Sequence, residues 1–361
     1  MMEYAAELQD YIDTLMVRDG SDIHIIAGTK PLFRVQRELV PFIQKEVLTE
    51  TDTQEFFRVI AGSRVEHAEG MLQEQRHLMF SYIHTTKNDV KVNLRVTVYY
   101  EMGNIALTLR LVQASERTLE ELHLPAMLKE VMHEPNGLFL IVGATGNGKS
   151  TALAAMVGHC NNTLRKHILT IEDPIEFVFN DRKSTITQQE IPWDALSFRS
   201  ALDTALRTDA DILMIGEMRE VETMRAVMTA AEVGHLALST VHANSAYGAI
   251  HRIIDSFHAD QQRQIAHQLA GSLLGVCSVR LLPRMSGGLI PACEILINTD
   301  AVGNLIREGR VESIKSTIQT GKEEGMISLE RYLADLVKRG EVALEVATLH
   351  ASSEQALSRY L

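Results

Sequence analysis

Apolar residues recur at helical spacing over residues 1–19, where Leu8, Ile12, Leu15 and Met16 fall on one stripe. Gly20 follows as the expected stop, since glycine accepts the left-handed turn that ends many helices. From residue 22 to 110 the pattern changes to strand-like runs. Ile23-His24-Ile25-Ile26 is one, and Lys91–Tyr100, which alternates well between apolar and polar, is another. Ile105–Val112 is a third, with Met102-Gly103-Asn104 as the turn before it, and a helix is expected around Asp52–Ala61. This is the pattern of an α+β domain covering residues 1–112.

Polar residues Gln113–Arg117 read as a linker, placed at 113–118. Thr118-Leu119-Glu120-Glu121 is a capping-box pattern that opens the next unit. From 119 to 361 short continuous apolar runs alternate with helical stretches, as they do in a parallel α/β sheet. The runs are Leu138–Val142, Ile168–Ile171, Ile212–Ile215 and Leu236–Val241. After about residue 300 the chain reads as helical, with Leu329, Leu333, Leu336 and Val337 on one face. No internal repeat or low-complexity segment interrupts this order.

Charge and cysteine content narrow the classes. Lysine and arginine total 35 against 47 aspartates and glutamates, a net charge of −12, which argues against a general nucleic-acid binder. Cys160, Cys277 and Cys293 are widely spaced and form no C-x-x-C pair, so neither a zinc knuckle nor a disulfide framework is expected. A reducing, cytoplasmic setting suits three lone cysteines. No run of about 18 apolar residues and no leader-like apolar stretch occurs, so any membrane association is expected to go through partners or a surface patch.

The run Gly143-Ala144-Thr145-Gly146-Asn147-Gly148-Lys149-Ser150-Thr151 fits G-x-x-x-x-G-K-[ST]. It lies between the apolar run Leu138–Val142 and the helix-forming stretch Ala152–Val157. Strand, glycine-rich loop and helix in that order cradle phosphate: glycines let backbone N–H groups turn inward, and the helix adds its positive end. Lys149 is expected to reach the β- and γ-phosphates of ATP, and Ser150 to hold Mg²⁺.

Two further segments bring acids to strand ends, where ligands bind in open α/β sheets. Glu172, Asp173 and Glu176 follow Ile168–Ile171. One of them could activate water and another support Mg²⁺; an acidic turn on a solvated edge is the alternative. Asp211–Glu217 is an apolar strand ending in an acid. Gly216 stands where a Walker B element usually has aspartate, which leaves Glu217 to align water or hold Mg²⁺. His242 follows the run Leu236–Val241 at its carboxyl end and could touch a γ-phosphate, whereas His235 precedes it at the opposite end; either could be structural.

With these residues in order, the chain resembles the bacterial secretion-ATPase superfamily, and within it the type IV pilus retraction ATPases that drive twitching motility. The family's Walker A, Asp box, Walker B and His box stand here as GATGNGKST, ILTIEDPIEF, DILMIGEMRE and TAAEVGHLALSTVHANSA. The likeness extends to Gly20–Ile25, Ala301–Glu308 and Ile318–Gly321. It implies a RecA-like P-loop core behind a smaller PAS-like α+β domain. It also implies a cytoplasmic homohexamer at the inner-membrane base of a pilus, bound to a platform protein there and acting indirectly on pilin. Such a motor turns ATP hydrolysis into pilus retraction.

By motif, the resemblance makes Glu217 the Walker B acid and Glu176 the Asp-box acid that activates water. It also makes Arg95 and Arg110 arginines that reach the nucleotide. The extension branch of the family carries a four-cysteine zinc motif, and this chain has none. Four residues depart from the family's usual pattern: Gln189, Asp203, Ala210 and Gly303. The alternatives are an accessory paralogue of the retraction motor, or a pilus-extension or type II secretion ATPase. A nucleotide-gated module without turnover and a DNA translocase are less consistent with the intact acids and the negative charge.

Overall fold

The computed structural model describes residues 2–86, 91–112 and 117–361, and the linker residues 113–116 lie outside them. The chain divides into two compact units. One is Met1–Ser115 together with Asp173–Val178, and the other is Glu116–Glu172 together with Phe179–Leu361. Chain order alone placed Asp173–Val178 in the second.

The first unit runs α1 (Met2–Val17), β1 (Gly20–Ile25), β2 (Leu32–Val35), β3 (Glu38–Pro41), α2 (Glu50–Ala61), α3 (Val65–Gln75), β4 (His77–Thr85), β5 (Lys91–Glu101) and β6 (Asn104–Val112). Its strands form an antiparallel sheet in the order β3-β2-β1-β6-β5-β4. One face carries Phe33, Ile23, Ile25, Leu107, Leu109, Leu94, Val96 and Val98, all buried. The apolar stripes of α1 (Leu8, Tyr11, Ile12, Leu15) and α2 (Phe56, Phe57) complete this core. Met102 and Gly103, both with positive φ, close the two-residue β5–β6 hairpin.

Gly20 does not stop α1 as expected. The left-handed residue is Asp19, at φ 51°, and Gly20 opens β1. Space favours glycine there for another reason: a Cβ would lie 2.5 Å from Leu15 Cδ1 and 3.1 Å from the Arg34 carbonyl oxygen, so the leucine tip would have to move.

The second unit begins with the capping box. Thr118 N donates to Glu121 Oε2 at 2.8 Å and Glu121 N to Thr118 Oγ1 at 3.2 Å. These bonds close a single turn that ends at left-handed His123, and the first helix, α4, starts only at Met127 (Met127–Val131). Then follow β7 (Gly137–Val142), α5 (Lys149–Thr163), β8 (His167–Glu172), β9 (Thr185–Glu190), α6 (Phe198–Ala205), β10 (Ile212–Ile215), α7 (Val221–Glu232), β11 (Leu236–Val241), α8 (Ala246–Asp255), α9 (Ala259–Ser272), β12 (Leu273–Pro283) and β13 (Leu289–Ile297). Five helices finish the chain: α10 (Asp300–Arg307), α11 (Ile314–Thr320), α12 (Leu329–Lys338), α13 (Leu344–His350) and α14 (Glu354–Ser358).

The sheet order is β13-β12-β7-β11-β10-β8-β9, with every neighbour parallel except the edge strand β13. β7, β10 and β11 are buried at every position, as strands covered on both faces must be. The fold is therefore α/β, a P-loop core with a smaller α+β unit before it. Parallel pairing sends the carboxyl ends of β7, β11, β10 and β8 to one edge of the sheet. Among the described residues no helix is long and apolar enough to cross a membrane.

Candidate functional site

The phosphate loop leaves the buried strand β7 and runs directly into α5. At Gly143 a Cβ would sit 2.5 Å from the Val279 carbonyl, so only glycine lets the loop pass β12. Gly148 is the N-cap of α5 with φ 81°, and no side chain caps the helix. The first-turn amides of α5 are thus left to a ligand, which is the arrangement that binds anions. Ala144, Thr145, Gly146 and Ser150 are exposed, while Lys149 is buried beneath them. Its Nζ donates to Gly143 O at 3.0 Å and Ala144 O at 3.1 Å. Asn147 Oδ1 accepts from Leu281 N at 3.4 Å, which ties the loop to β12. Thr151 lies half-buried in the first turn of α5.

Glu217 lies just past β10. Its segment is stitched to both neighbouring strands: Gly216 N donates to Ile171 O, Met218 N to Thr240 O, and Thr240 Oγ1 to Gly216 O. The carboxylate is 17% exposed and has two cationic or potentially cationic partners. Arg219 Nη2 is 2.7 Å from Oε1, and His242 Nε2 is 3.4 Å from Oε2. His242 is held in turn, because its carbonyl accepts from Arg252 Nη1 at 2.8 Å. The next helix, α8, is anchored by Ala246 N donating to Glu294 Oε1 at 2.8 Å. Burial pushes the Glu294 carboxyl above its ordinary range. His235 sits at the opposite end of β11, where Nδ1 is 3.3 Å from Ala230 O. Only His242 of the two histidines meets the acid.

The acids of the Asp box separate. Glu172 ends β8 buried, and its Oε1 accepts from Thr170 Oγ1 at 2.8 Å and Gln188 Nε2 at 3.2 Å. Asp173 is exposed. Glu176 belongs to the first unit, where its carboxylate pairs with Arg95 of β5.

Arg95 stands directly opposite Arg110 of β6. Arg110 does not share Glu176: its Nε donates to Asp22 Oδ1 at 2.7 Å. Burial raises the Asp22 carboxyl, but hydrogen bonds from Ser21 and Arg110 outweigh it and hold the group below its ordinary range.

The family departures sit in different surroundings. Asp203 accepts from Arg199 Nε at 3.1 Å along α6, Ala210 is buried just before β10, and Gly303 is buried inside α10. Gln189 lies on β9 with Oε1 buried and unpartnered among the described residues. Sequence reading did not single out Arg219, Arg252, Asp22 or Asn93. The only local signal for any of them was the charge of Arg219 two residues after Glu217.

The model for type II/IV secretion system proteins matches residues 4–356. Over 328 residues the chain is 38% identical to the type IV pilus retraction ATPase PilT of Pseudomonas aeruginosa, covering 91% of this chain and 93% of that protein. Over 356 residues it is 35% identical to the type IV pilus ATPase PilU of the same organism, covering 97% and 90%. A crystal structure of the pilus retraction motor PilT with bound ADP superposes with a TM-score of 0.85 at 36% identity, covering 97% of this chain and 98% of that one.

Proposed function

The chain belongs to the type II/IV secretion system protein family, and from that premise we propose that its ATPase cycle drives retraction of a type IV pilus. It is a nucleotide-binding, ATP-hydrolysing member of that family. The observation that carries the reading is one sheet edge holding an uncapped phosphate loop and the Glu217–His242 pair.

Phosphoryl transfer asks the protein mainly to position groups and to stabilise charge. Lys149 and the amides of Gly143–Thr151 take the phosphates. Glu217, oriented by His242 and Arg219, aligns the attacking water. The role assigned to Glu176, as the Asp-box acid, is to activate water. Arg95 and Arg110 are assigned to the nucleotide; a phosphate would compete with Glu176 and Asp22 for them. The oxygen donors Ser150 and Glu217 fit a hard divalent cation, since Ser150 is exposed in the first turn of the uncapped α5. Mg²⁺ bound there would neutralise charge on the β- and γ-phosphates.

The assembly we propose is a homohexamer at the cytoplasmic face of the inner membrane, working on a pilus platform protein and, through it, on pilin. No nucleic acid is assigned. A second reading, an accessory paralogue of the retraction motor, is favoured by the four departures from the family's usual pattern, Gln189, Asp203, Ala210 and Gly303. Steady-state phosphate release by the purified chain tests the enzymology. Pili counted on cells lacking the gene test the direction of work: excess pili mean retraction, bald cells mean extension, and unchanged numbers mean an accessory role.

A further inference from the structure

The segment Asp173–Val178 leaves β8 of the second unit and yet is part of the first. Asn93 of β5 supplies a reason. It is 6% exposed and paired in register with Val112 of β6 and Ile83 of β4. Its Nδ2 donates to two consecutive carbonyls, Ile175 at 2.9 Å and Glu176 at 3.2 Å. Two residues along the same face of the strand, Arg95 pairs with the Glu176 carboxylate. One side chain therefore fixes the backbone of Glu176, and its neighbour fixes the charge.

Asn93 makes these bonds at a cost to the fold. Its Oδ1 is buried without a partner among the described residues, and a buried acceptor left unpaired disfavours folding. An apolar side chain of similar size would suit the position better as packing. The two bonds to the acid-bearing segment are what such a side chain could not make.

We infer that Asn93 is a positioning residue that carries Glu176 on the first unit, so the acid's placement follows β5 rather than the strand it is threaded from. This rests on the reading of Glu176 as the group that activates water. It adds that a non-catalytic amide sets where that group stands. Loss of the amide lets the segment wander while the phosphate loop keeps its own contacts. Turnover then falls without a matching loss of nucleotide affinity.

The test compares parent, Asn93→Leu, Asn93→Ala and Glu176→Gln as full-length assembled protein. Leucine keeps volume and suits burial, so that variant folds even if alanine does not. In Asn93→Leu, kcat is expected about tenfold lower or more, with ATP affinity within about twofold of parent. Hydrogen exchange of amides 175–178 is expected about tenfold faster. Parental kcat together with parental exchange in Asn93→Leu overturns the inference, as does a loss of affinity equal to the loss of kcat. Parental turnover in Glu176→Gln overturns instead the role given to Glu176. The exchange measurement then decides alone whether Asn93 holds the segment.

Discussion

Glu217 Oε2 and His242 Nε2 lie 3.4 Å apart, carried just past the ends of the paired parallel strands β10 and β11. With Arg219 on the other oxygen, the carboxylate is fixed in direction as well as place. Glu217→Gln keeps the shape and removes the charge. It should bind ATP as the parent does and lose about 100-fold or more in turnover. His242→Ala should cost less, about tenfold, because Arg219 still holds one oxygen. Phosphate release and equilibrium binding, measured on the same preparations, check both.

Lys149 is buried under the loop and bonded to the Gly143 and Ala144 carbonyls. Lys149→Ala removes the charge that meets the β- and γ-phosphates. ATP affinity should fall about tenfold or more, with turnover falling alongside it. Affinity at the parental level in this variant would show that the loop does not bind phosphate.

These two predictions use the part of the molecule most legible in sequence. β7, β8, β10 and β11 are covered on both faces, so they read as largely apolar runs, broken by Thr170 in β8 and by Ser239 and Thr240 in β11, and the motif fixes what lies between β7 and α5. The first unit was harder to read. β4 is an edge strand that exposes Met79 and Ile83, and α3 buries only Ala68 and Leu72, so neither announces itself by pattern. The acids and arginines stand out in the sequence as residue types, but their partners do not. Arg110 finds Asp22 across 88 positions, and Asn93 finds Ile175 across 82. No local pattern contains such pairings; strand register makes the first, and the return of the segment after β8 to β5 makes the second.

Arg110 and Asp22 give a pH-dependent prediction. The Asp22 carboxyl is depressed in the folded chain, with Ser21 and Arg110 donating to it against the effect of burial. A depressed carboxyl contributes stability above its unfolded value, and that contribution is lost as pH falls through the folded value. Arg110→Ala should therefore lower stability by about 1 kcal/mol at neutral pH, a modest figure because Arg110 is 63% exposed. The gap to the parent should close in acid below the ordinary carboxylate value of 3.8. Urea melts of both proteins from neutral pH downward check the sign. Turnover should fall in the same variant, and in Arg95→Ala, if these arginines serve the nucleotide.

In α10, Val302 and Ile306 are buried while Arg307 and Glu308 are exposed. Gly303 is not required by space: a Cβ would stand 3.5 Å from Arg307 Nη1, an ordinary contact. Gly303→Ala should stabilise the protein by about 0.5–1 kcal/mol, measured as an upward shift in Tm. Replacing both Arg307 and Glu308 by alanine should leave ATP turnover and assembly intact and impair twitching. Normal twitching at normal protein level would make α10 an ordinary surface helix.

The central claim is that ATP hydrolysis at this site pulls pili in. The most direct measurement puts parent and Glu217→Gln, at equal protein level, into cells lacking the gene, then counts pili and follows single retraction events. The account predicts that the parent restores retraction and normal pilus number. Glu217→Gln should leave the cells over-piliated and without retraction. Retraction at parental frequency with Glu217→Gln, or bald cells in the absence of the gene, would contradict it.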